Sequence, residues 1–393
     1  MSLGIYISVP FCRSKCTFCN FASGVFSREK MSLYVQRVRE EIASSSAVAE
    51  KLNAKWDRDV DSIYLGGGTP TTLDPQHLRD LFRAVDENFD VHPSVEITVE
   101  CAPGTLHPET VQALVDCGVN RVSLGTQSFV DDEIRSVGRL HTAWQTLADI
   151  ASLRQAGIFN LNVDLIAGLP YQTQQSWRLS LAQLSESGVP HVSVYMLEID
   201  ADSRLGRELT AGGTRYHAHH VPDSDLIADL YLETIDFFAG AGLPQYEISN
   251  FAKPGYESSH NLKYWTRQPY LGFGLDAHSM LQSEQSSEEF ESVRFSNADD
   301  LSLYLAGSSR PFVTRVNRRS AAEEQIFLGL RLNRGINLSS GSQEQFEDFN
   351  SEMRGLIYLG LIEEAGERLR LTNRGRLLSN EVFEKFIAAE EVT

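Results

Sequence analysis

The chain has 393 residues, enough for two domains or one large domain with an appendage. Hydrophobic residues make up 42% and charged residues 22%, the composition of an ordinary water-soluble globular protein. Thirty-five Lys and Arg against 53 Asp and Glu leave a net charge of −18, which repels phosphate backbones and argues against nucleic acid as a partner.

No apolar run reaches the roughly eighteen residues of a membrane-spanning helix. Met1 to Phe11 has no basic stretch followed by an apolar one and a cleavage site, so a cytoplasmic location is expected.

In chain order, Ile5 to Val9 reads as a strand, followed by a cysteine-bearing loop and a helix from Met31 to Ala49 with Tyr34, Val35, Val38 and Ile42 on one side. Ser62 to Leu65 is a second strand, ending in Gly66-Gly67-Gly68-Thr69-Pro70, and a helix from Gln76 to Phe89 follows. Further strands are expected at Val95–Val99, Val122–Leu124, Leu161–Ile166 and Val192–Tyr195. Helices are expected between them at Pro108–Cys117, Thr142–Ala156 and Gln175–Glu186. Recurring strand, loop and helix predict right-handed βαβ units and a parallel sheet, with functional loops at the strand carboxyl ends. Beyond residue 200 come a helix at Ser224–Ala239, a polar and aromatic-rich region at Gln245–Ser279 and an exposed loop at Gln282–Asp300. Helices at Ala321–Leu332 and Glu344–Leu359, the latter capped by Gly360, precede a hairpin at Leu361–Leu371 with Gly366 at its turn and a last helix at Arg374–Ala388. That order predicts a small winged-helix-like domain. Glu363, Glu364 and Glu367 in its wing favour a structural or protein-contact role over DNA binding.

The five cysteines are Cys12, Cys16, Cys19, Cys101 and Cys117. An odd number in a chain without an export signal argues against a disulfide framework. Cys12, Cys16 and Cys19 form CxxxCxxC in one loop directly after the first strand. Three thiolates so spaced can each bind a different iron of a cubane, leaving a fourth iron open to a small chelating ligand. Zinc sites show two separated pairs, and Cys101 and Cys117 stand apart.

These features resemble the radical S-adenosylmethionine (SAM) superfamily. The resemblance implies a [4Fe–4S] cluster on Cys12, Cys16 and Cys19, with SAM on the open iron and the glycine run approaching its amino group. The stretches Tyr6 to Cys12, Glu100 to Gly104, Gly118 to Phe129 and Asp164 to Pro170 are similar to the family of oxygen-independent coproporphyrinogen III oxidase. The similarity runs over almost the whole chain. It implies an α/β fold, a partial (β/α)6 TIM-like radical-SAM barrel with a small carboxy-terminal winged-helix-like domain. The expected division is residues 1–308 and 309–393. It also implies SAM contacts from Tyr6, Phe18, Gly67, Gly68, Thr69, Glu100, Gln127, Arg139 and Asp164. Glu100, Gln127 and Asp164 are expected at or just past strand ends, where they can hold ribose hydroxyls or a sulfonium, and Arg139 can pair with the SAM carboxylate.

Within this family the oxidases carry a fourth cysteine two places after the third and an extension ahead of the cluster. Here the place is Phe21 and little precedes Cys12. His260-Asn261-Leu262-Lys263-Tyr264-Trp265 matches the HNxxYW motif of the HemW-type heme chaperone subgroup, and Tyr270 to Gly274 and Ala277 to Ser279 are similar to it as well. A histidine beside aromatic rings suits heme, so His260 is the expected axial ligand and His278 a weaker candidate. Ser8 stands where family members commonly have histidine, which weakens the case for porphyrinogen chemistry. His217, His219 and His220 read as a solvated loop cluster. The resemblance implies a chaperone that binds heme and a SAM-linked cluster and delivers heme to an acceptor protein. A membrane is involved only if that acceptor is membrane-bound. The alternatives are a coproporphyrinogen III oxidase and a radical-SAM enzyme with another substrate.

Overall fold

Period-two alternation along six strands sorts the chain into an apolar face and a polar one. In β1 (Leu3–Val9), Ile5, Ile7 and Val9 join the main core, leaving Tyr6 and Ser8 on the opposite face. The same division places Ile63 and Leu65 of β2 (Asp59–Gly67), Ile97 and Val99 of β3 (Asp90–Cys101) and Val122 and Leu124 of β4 (Arg121–Gln127) in that core. Leu161, Val163 and Leu165 of β5 (Asn160–Ala167), with Val192 and Val194 of β6 (His191–Met196), complete it. Helices α1 (Arg28–Lys51), α2 (Pro75–Asn88), α3 (Pro108–Asp116), α4 (Asp131–Ser136), α5 (Ala143–Gln155) and α6 (Gln174–Ser187) alternate with these strands. They cover the apolar face through side chains such as Val38, Ile42, Leu81, Leu114, Leu153 and Trp177. Ser27 caps α1, and Thr142 with Gln145 forms a capping box on α5, which fixes where each helix starts.

The computed structural model describes residues 2–284, 290–307, 312–338 and 346–387. Strands β1 to β6 pair in chain order and all in parallel, which is the expected partial (β/α)6 barrel. Every strand and helix expected before residue 200 is present, displaced at its ends by a few residues, and α4 is an addition.

After β6 come α7 (Arg204–Ala211), α8 (Ser224–Gly240), β7 (Gln245–Glu247) and β8 (Asn250–Ala252), with β8 antiparallel to β6 at one edge. Helix α9 (Ser259–Trp265) then carries the chain across to β9 (Tyr270–Phe273), which pairs in parallel with β1 at the other side. Strands β10 (His278–Gln282), β11 (Ser292–Ser296) and β12 (Phe312–Val316) continue the sheet antiparallel. The expectation of an exposed loop from Gln282 to Asp300 is therefore corrected. β11 lies within it because Val293 and Phe295 alternate with polar residues and pack on the main core. Residues 285–289 of that segment lie outside the described residues. The helix α10 (Leu301–Ala306) follows.

The carboxy-terminal part has its own core of Ile326, Leu330, Met353, Leu356, Leu369, Val382 and Phe386. It comprises α11 (Arg318–Leu330), a short strand β13 (Ile336–Asn337), a helix at Asn350–Tyr358 and a hairpin of β14 (Ile362–Ala365) and β15 (Arg368–Leu371). Gly360 at φ +67 ends that helix and Gly366 at φ +65 turns the hairpin, as expected. The single last helix expected from Arg374 is two helices, Asn373–Leu377 and Ser379–Glu384, because Leu378 leaves helical geometry at φ −112 and ψ 33. The break turns Val382 and Phe386 into the second core. Ala388, Glu344 and the expected boundary at 308/309 lie outside the described residues. Arg267 ties the two parts together, its Nε donating to Glu324 Oε2 at 2.7 Å and its Nη1 to Glu291 Oε1 at 2.5 Å. Among the described residues no helix is long and apolar enough to cross a membrane.

Candidate functional site

The polar face of β1 to β6 is a row of functional groups converging toward the strand carboxyl ends. In β2, Tyr64 donates from its hydroxyl to Glu100 Oε1 at 2.9 Å, and the Gly67 amide donates to Glu100 Oε2 at 3.1 Å. Two strands beyond Glu100, Asp164 of β5 accepts from Ser123 Oγ at 3.2 Å and from Asn162 Nδ2 at 2.7 Å. Glu100 lies at the end of β3, but Asp164 is the fifth residue of β5, inside the strand and not past its end. Burial pushes the Glu100 carboxyl up to about 7, with the neighbouring Asp164 charge adding to it. Burial also raises Asp164, against the hydrogen bonds from Ser193, Asn162 and Ser123.

The glycines of this row are spatial requirements. A Cβ on Gly66 would come within 2.8 Å of Glu100 Oε1, and one on Gly68 within 2.7 Å of the Val9 carbonyl and 2.9 Å of the Phe11 amide. Gly67 adopts φ +97, a conformation that side-chain-bearing residues resist. The turn is closed by Gly68 N–H donating to Val9 O at 2.9 Å and Thr69 N–H to Phe11 O at 2.8 Å. This strand exit is thereby locked to the start of the cysteine loop.

That loop is pinned at several points. The Cys12 amide donates to Gly24 O, the Thr17 amide to Val137 O, and Ser14 Oγ to Gly138 O at 3.0 Å. Thr69 Oγ1 lies 3.8 Å from Cys12 Sγ, and Cys19 Sγ lies 3.8 Å from Ser23 Oγ. Cys12, Cys16 and Cys19 are each partly exposed, whereas Cys101 is buried against Thr105. Burial raises the Cys12 and Cys16 thiols, and the nearby Arg139 guanidinium opposes that rise in both. Arg139 thus stands beside the loop. Its Nε is buried without a hydrogen-bond partner among the described residues, and its Nη2 hangs over Gly125, where a Cβ would come within 3.1 Å. Gln127 shares that space, its Nε2 being 3.2 Å from the same point, and its backbone is left-handed at φ +71 beyond the bulge at Gly125. Phe18 packs on Val137, Ile166 and Leu169 at the rim.

The donor set fits a cluster and its ligand. Three partly exposed thiols on one loop suit three irons, and a buried, unpartnered guanidinium nitrogen beside them suits a carboxylate. Two recessed carboxyls whose ionised forms are disfavoured suit hydroxyls or a cation. Sequence reasoning named Tyr6, Phe18, Gly67, Gly68, Thr69, Glu100, Gln127, Arg139 and Asp164, which the structure gathers along this polar row and its rim. It missed Tyr64, Ser123 and Asn162, which the period-two register from Glu100 and Asp164 would have found.

A cavity of about 270 Å³ adjoins this row at the mouth of β1. Tyr6, Phe21, Gly67, Tyr264, Tyr270 and His278 are among its walls, and Ser8 lines it where the family commonly has histidine. Phe21 is 64% exposed, so a large ring faces solvent at the cavity edge.

His260 departs from its expected role. It is 1% exposed, on α9, beneath the tyrosines of the cavity. Its Nδ1 lies 3.0 Å from Ser62 Oγ and its Nε2 lies 2.9 Å from the Tyr264 hydroxyl. A neutral imidazole donates through one nitrogen and accepts through the other, so both are committed. Burial, with the Lys263 charge adding, pushes its pKa down to about 3. The α9 N-terminus is held by Glu96, which accepts from the Ser259 and His260 amides at 3.1 Å each. Gly4 makes the close packing possible, since a Cβ there would meet Lys263 Cδ at 2.9 Å and His260 Cε1 at 3.3 Å. His217 and His220 contact Tyr171 near the surface and His219 stacks on His220, and among the described residues this histidine cluster forms no group that could hold a single metal ion.

Residues 6–199 match the family model of the Radical SAM superfamily, and residues 316–378 match that of the HemN C-terminal domain. The solved coproporphyrinogen III oxidase (HemN) of Escherichia coli, a radical SAM enzyme, superposes with a TM-score of 0.81. That superposition covers 98% of this chain and 90% of the other at 24% identity, a likeness of fold. Fold and site define a radical SAM protein of the HemN-like kind. Over 391 residues the chain is 33% identical to the heme chaperone HemW of Lactococcus lactis, covering 97% of this chain and 96% of the relative. It is 30% identical over 394 residues to the heme chaperone HemW of Bacillus subtilis, covering 97% and 98%. The chain belongs to the HemW subgroup of the HemN-like radical SAM family.

Proposed function

We propose that the protein is a heme chaperone. In this reading it holds a [4Fe–4S] cluster on Cys12, Cys16 and Cys19 with SAM beside it, takes heme at the adjoining aromatic cavity and delivers it to an acceptor protein. The observation that carries the reading is the cavity itself. Tyr6, Tyr264, Tyr270 and the exposed Phe21 line one opening that abuts Gly67 of the SAM row. Flat aromatic walls suit a macrocycle. A space of about 270 Å³ covers one edge of it and leaves the rest accessible, as cargo to be handed on requires.

Bound SAM and a reduced cluster together would supply reductive cleavage of the sulfonium, the chemistry of the superfamily. This chain's own part is orientation. Arg139 would pair with the SAM carboxylate, and Gly67 and Gly68 would let the backbone approach its amino group. Tyr6 and Phe18 would flank the ligand, while Thr69 Oγ1, 3.8 Å from Cys12 Sγ, steadies the cysteine loop. Glu100, Gln127 and Asp164 would hold the sulfonium and ribose, whose positive charge and hydroxyls would relieve the cost of ionising two recessed carboxyls.

Against oxidase activity stand Phe21 in the place of a fourth cysteine and Ser8 in the place of a histidine. The acceptor protein enters as a partner of unspecified identity, and a membrane only by way of an acceptor embedded in one. The test is a heme titration and an anaerobic coproporphyrinogen III turnover assay on one cluster-reconstituted sample. About one heme per chain and no decarboxylation are expected. Robust decarboxylation without heme binding would make the protein an oxidase.

A further inference from the structure

An axial ligand to heme iron needs a nitrogen lone pair that can reach into the pocket. His260 has none in this fold, because Ser62 and Tyr264 occupy both ring nitrogens and the ring is sealed beneath the cavity. His278 is differently placed. It is the first residue of β10, and it lines the cavity beside Tyr264 and Tyr270. Among the described residues it is the one histidine that does so.

Its ring is available and its backbone is fixed. The side chain is 68% exposed, and its nearest charged neighbour is Asp276, whose Oδ1 lies 3.9 Å from Nε2. The backbone is held by pairing with Ser296 and by close approach to Gly272, where a Cβ would stand 2.2 Å from the His278 carbonyl oxygen. A carboxylate on the far side of a ligating imidazole can orient the ring, and Asp276 stands on the Nε2 side of His278. Its own conformation, φ +55, projects it at the turn just before β10.

We propose that His278 supplies the axial ligand to heme in this cavity, and that His260 is a positioning residue whose Nε2 holds the Tyr264 hydroxyl and so the ring that forms the cavity wall. The proposal rests on the heme-chaperone reading and deepens it. It also accounts for the HNxxYW spacing. His260 and Tyr264 are four residues apart on one helix and meet on one face, the geometry of a hydrogen-bonded pair.

The test is ferric heme titration of the full-length, cluster-reconstituted protein, read by Soret absorption and by electron paramagnetic resonance of the heme iron. His278→Ala should lose the ligated-iron spectrum and bind heme at least tenfold more weakly, with iron–sulfur content unchanged. Added imidazole should restore the spectrum, because the vacated position is open to solvent. His260→Gln should weaken binding while keeping the wild-type axial signature, and Tyr264→Phe should do the same, since each removes only the link between the two residues. A His278→Ala protein with an unchanged spectrum, or a His260→Gln protein that loses the signature while His278→Ala keeps it, would overturn the assignment and leave the chaperone reading standing. A wild-type protein that binds no heme would overturn both.

Discussion

Glu100→Gln should make the SAM-free protein more stable and its SAM binding weaker. The Glu100 carboxyl stands at about 7, against an ordinary 4.5, because it is recessed and faces Asp164. At about 1.4 kcal/mol for each tenfold change in the equilibrium, holding it ionised in the folded state costs roughly 3 kcal/mol at most. Water reaching the open barrel mouth reduces that to about 1–2 kcal/mol. The sign follows from proton uptake. Between pH 4.5 and 7 the folded state holds the proton that the unfolded state has released, so this contribution to stability falls as pH rises and levels off above 7. Gln carries no charge and can still accept from Tyr64 or the Gly67 amide. Denaturant unfolding of the SAM-free protein should therefore show wild type and Glu100→Gln converging near pH 5 and separating by about 1–2 kcal/mol at pH 8. In the same variant SAM should bind more weakly, because its sulfonium loses an opposing charge. A variant less stable than wild type at pH 8, or one with the wild-type pH slope, would refute the claim that this carboxyl waits for a cationic ligand.

Three further outcomes are expected. Cys12→Ser, Cys16→Ser and Cys19→Ser should each lose the cluster in iron and sulfide analysis, whereas Cys101→Ser and Cys117→Ser should keep most of it, being away from the loop. Gly68→Ala should cost about 1–3 kcal/mol in denaturant unfolding and lower cluster content, because its Cβ meets the backbone of Val9 and Phe11 and not a side chain that could move. Arg267→Ala should cost about 2–4 kcal/mol and expose the interface at α11 to limited proteolysis, because Glu324, itself 10% exposed, loses its shorter ion pair and keeps the one to Arg294.

The barrel was legible because its code is local. Apolar residues at every second position in β1 to β6 set the strands, and the same alternation put Glu100 and Asp164 on the polar face with their neighbours. The cysteine loop and the glycine turn were equally local, since each lies within a few residues of one strand end. What was not legible depends on packing between distant segments. Residues Ser292 to Ser296 look polar enough for a loop and become a strand because β10 and β12 flank them. His260 looked like a ligand because a histidine among aromatic residues has two meanings. The deciding partners, Ser62 and Glu96, lie on β2 and β3, far away in sequence. His278 looked weaker for want of a motif, yet its place at the cavity follows from the β9–β10 turn.

Delivery is the central claim, and one measurement reaches it directly. Heme-loaded, cluster-reconstituted protein would be mixed with an unfractionated lysate, soluble and membrane fractions together, from heme-depleted cells, and the Soret band followed as the protein is separated from it. The account predicts that the band leaves the protein and appears with an acceptor protein faster than from an equal amount of free heme. Heme that stays on the protein, or that moves no faster than free heme, would contradict it.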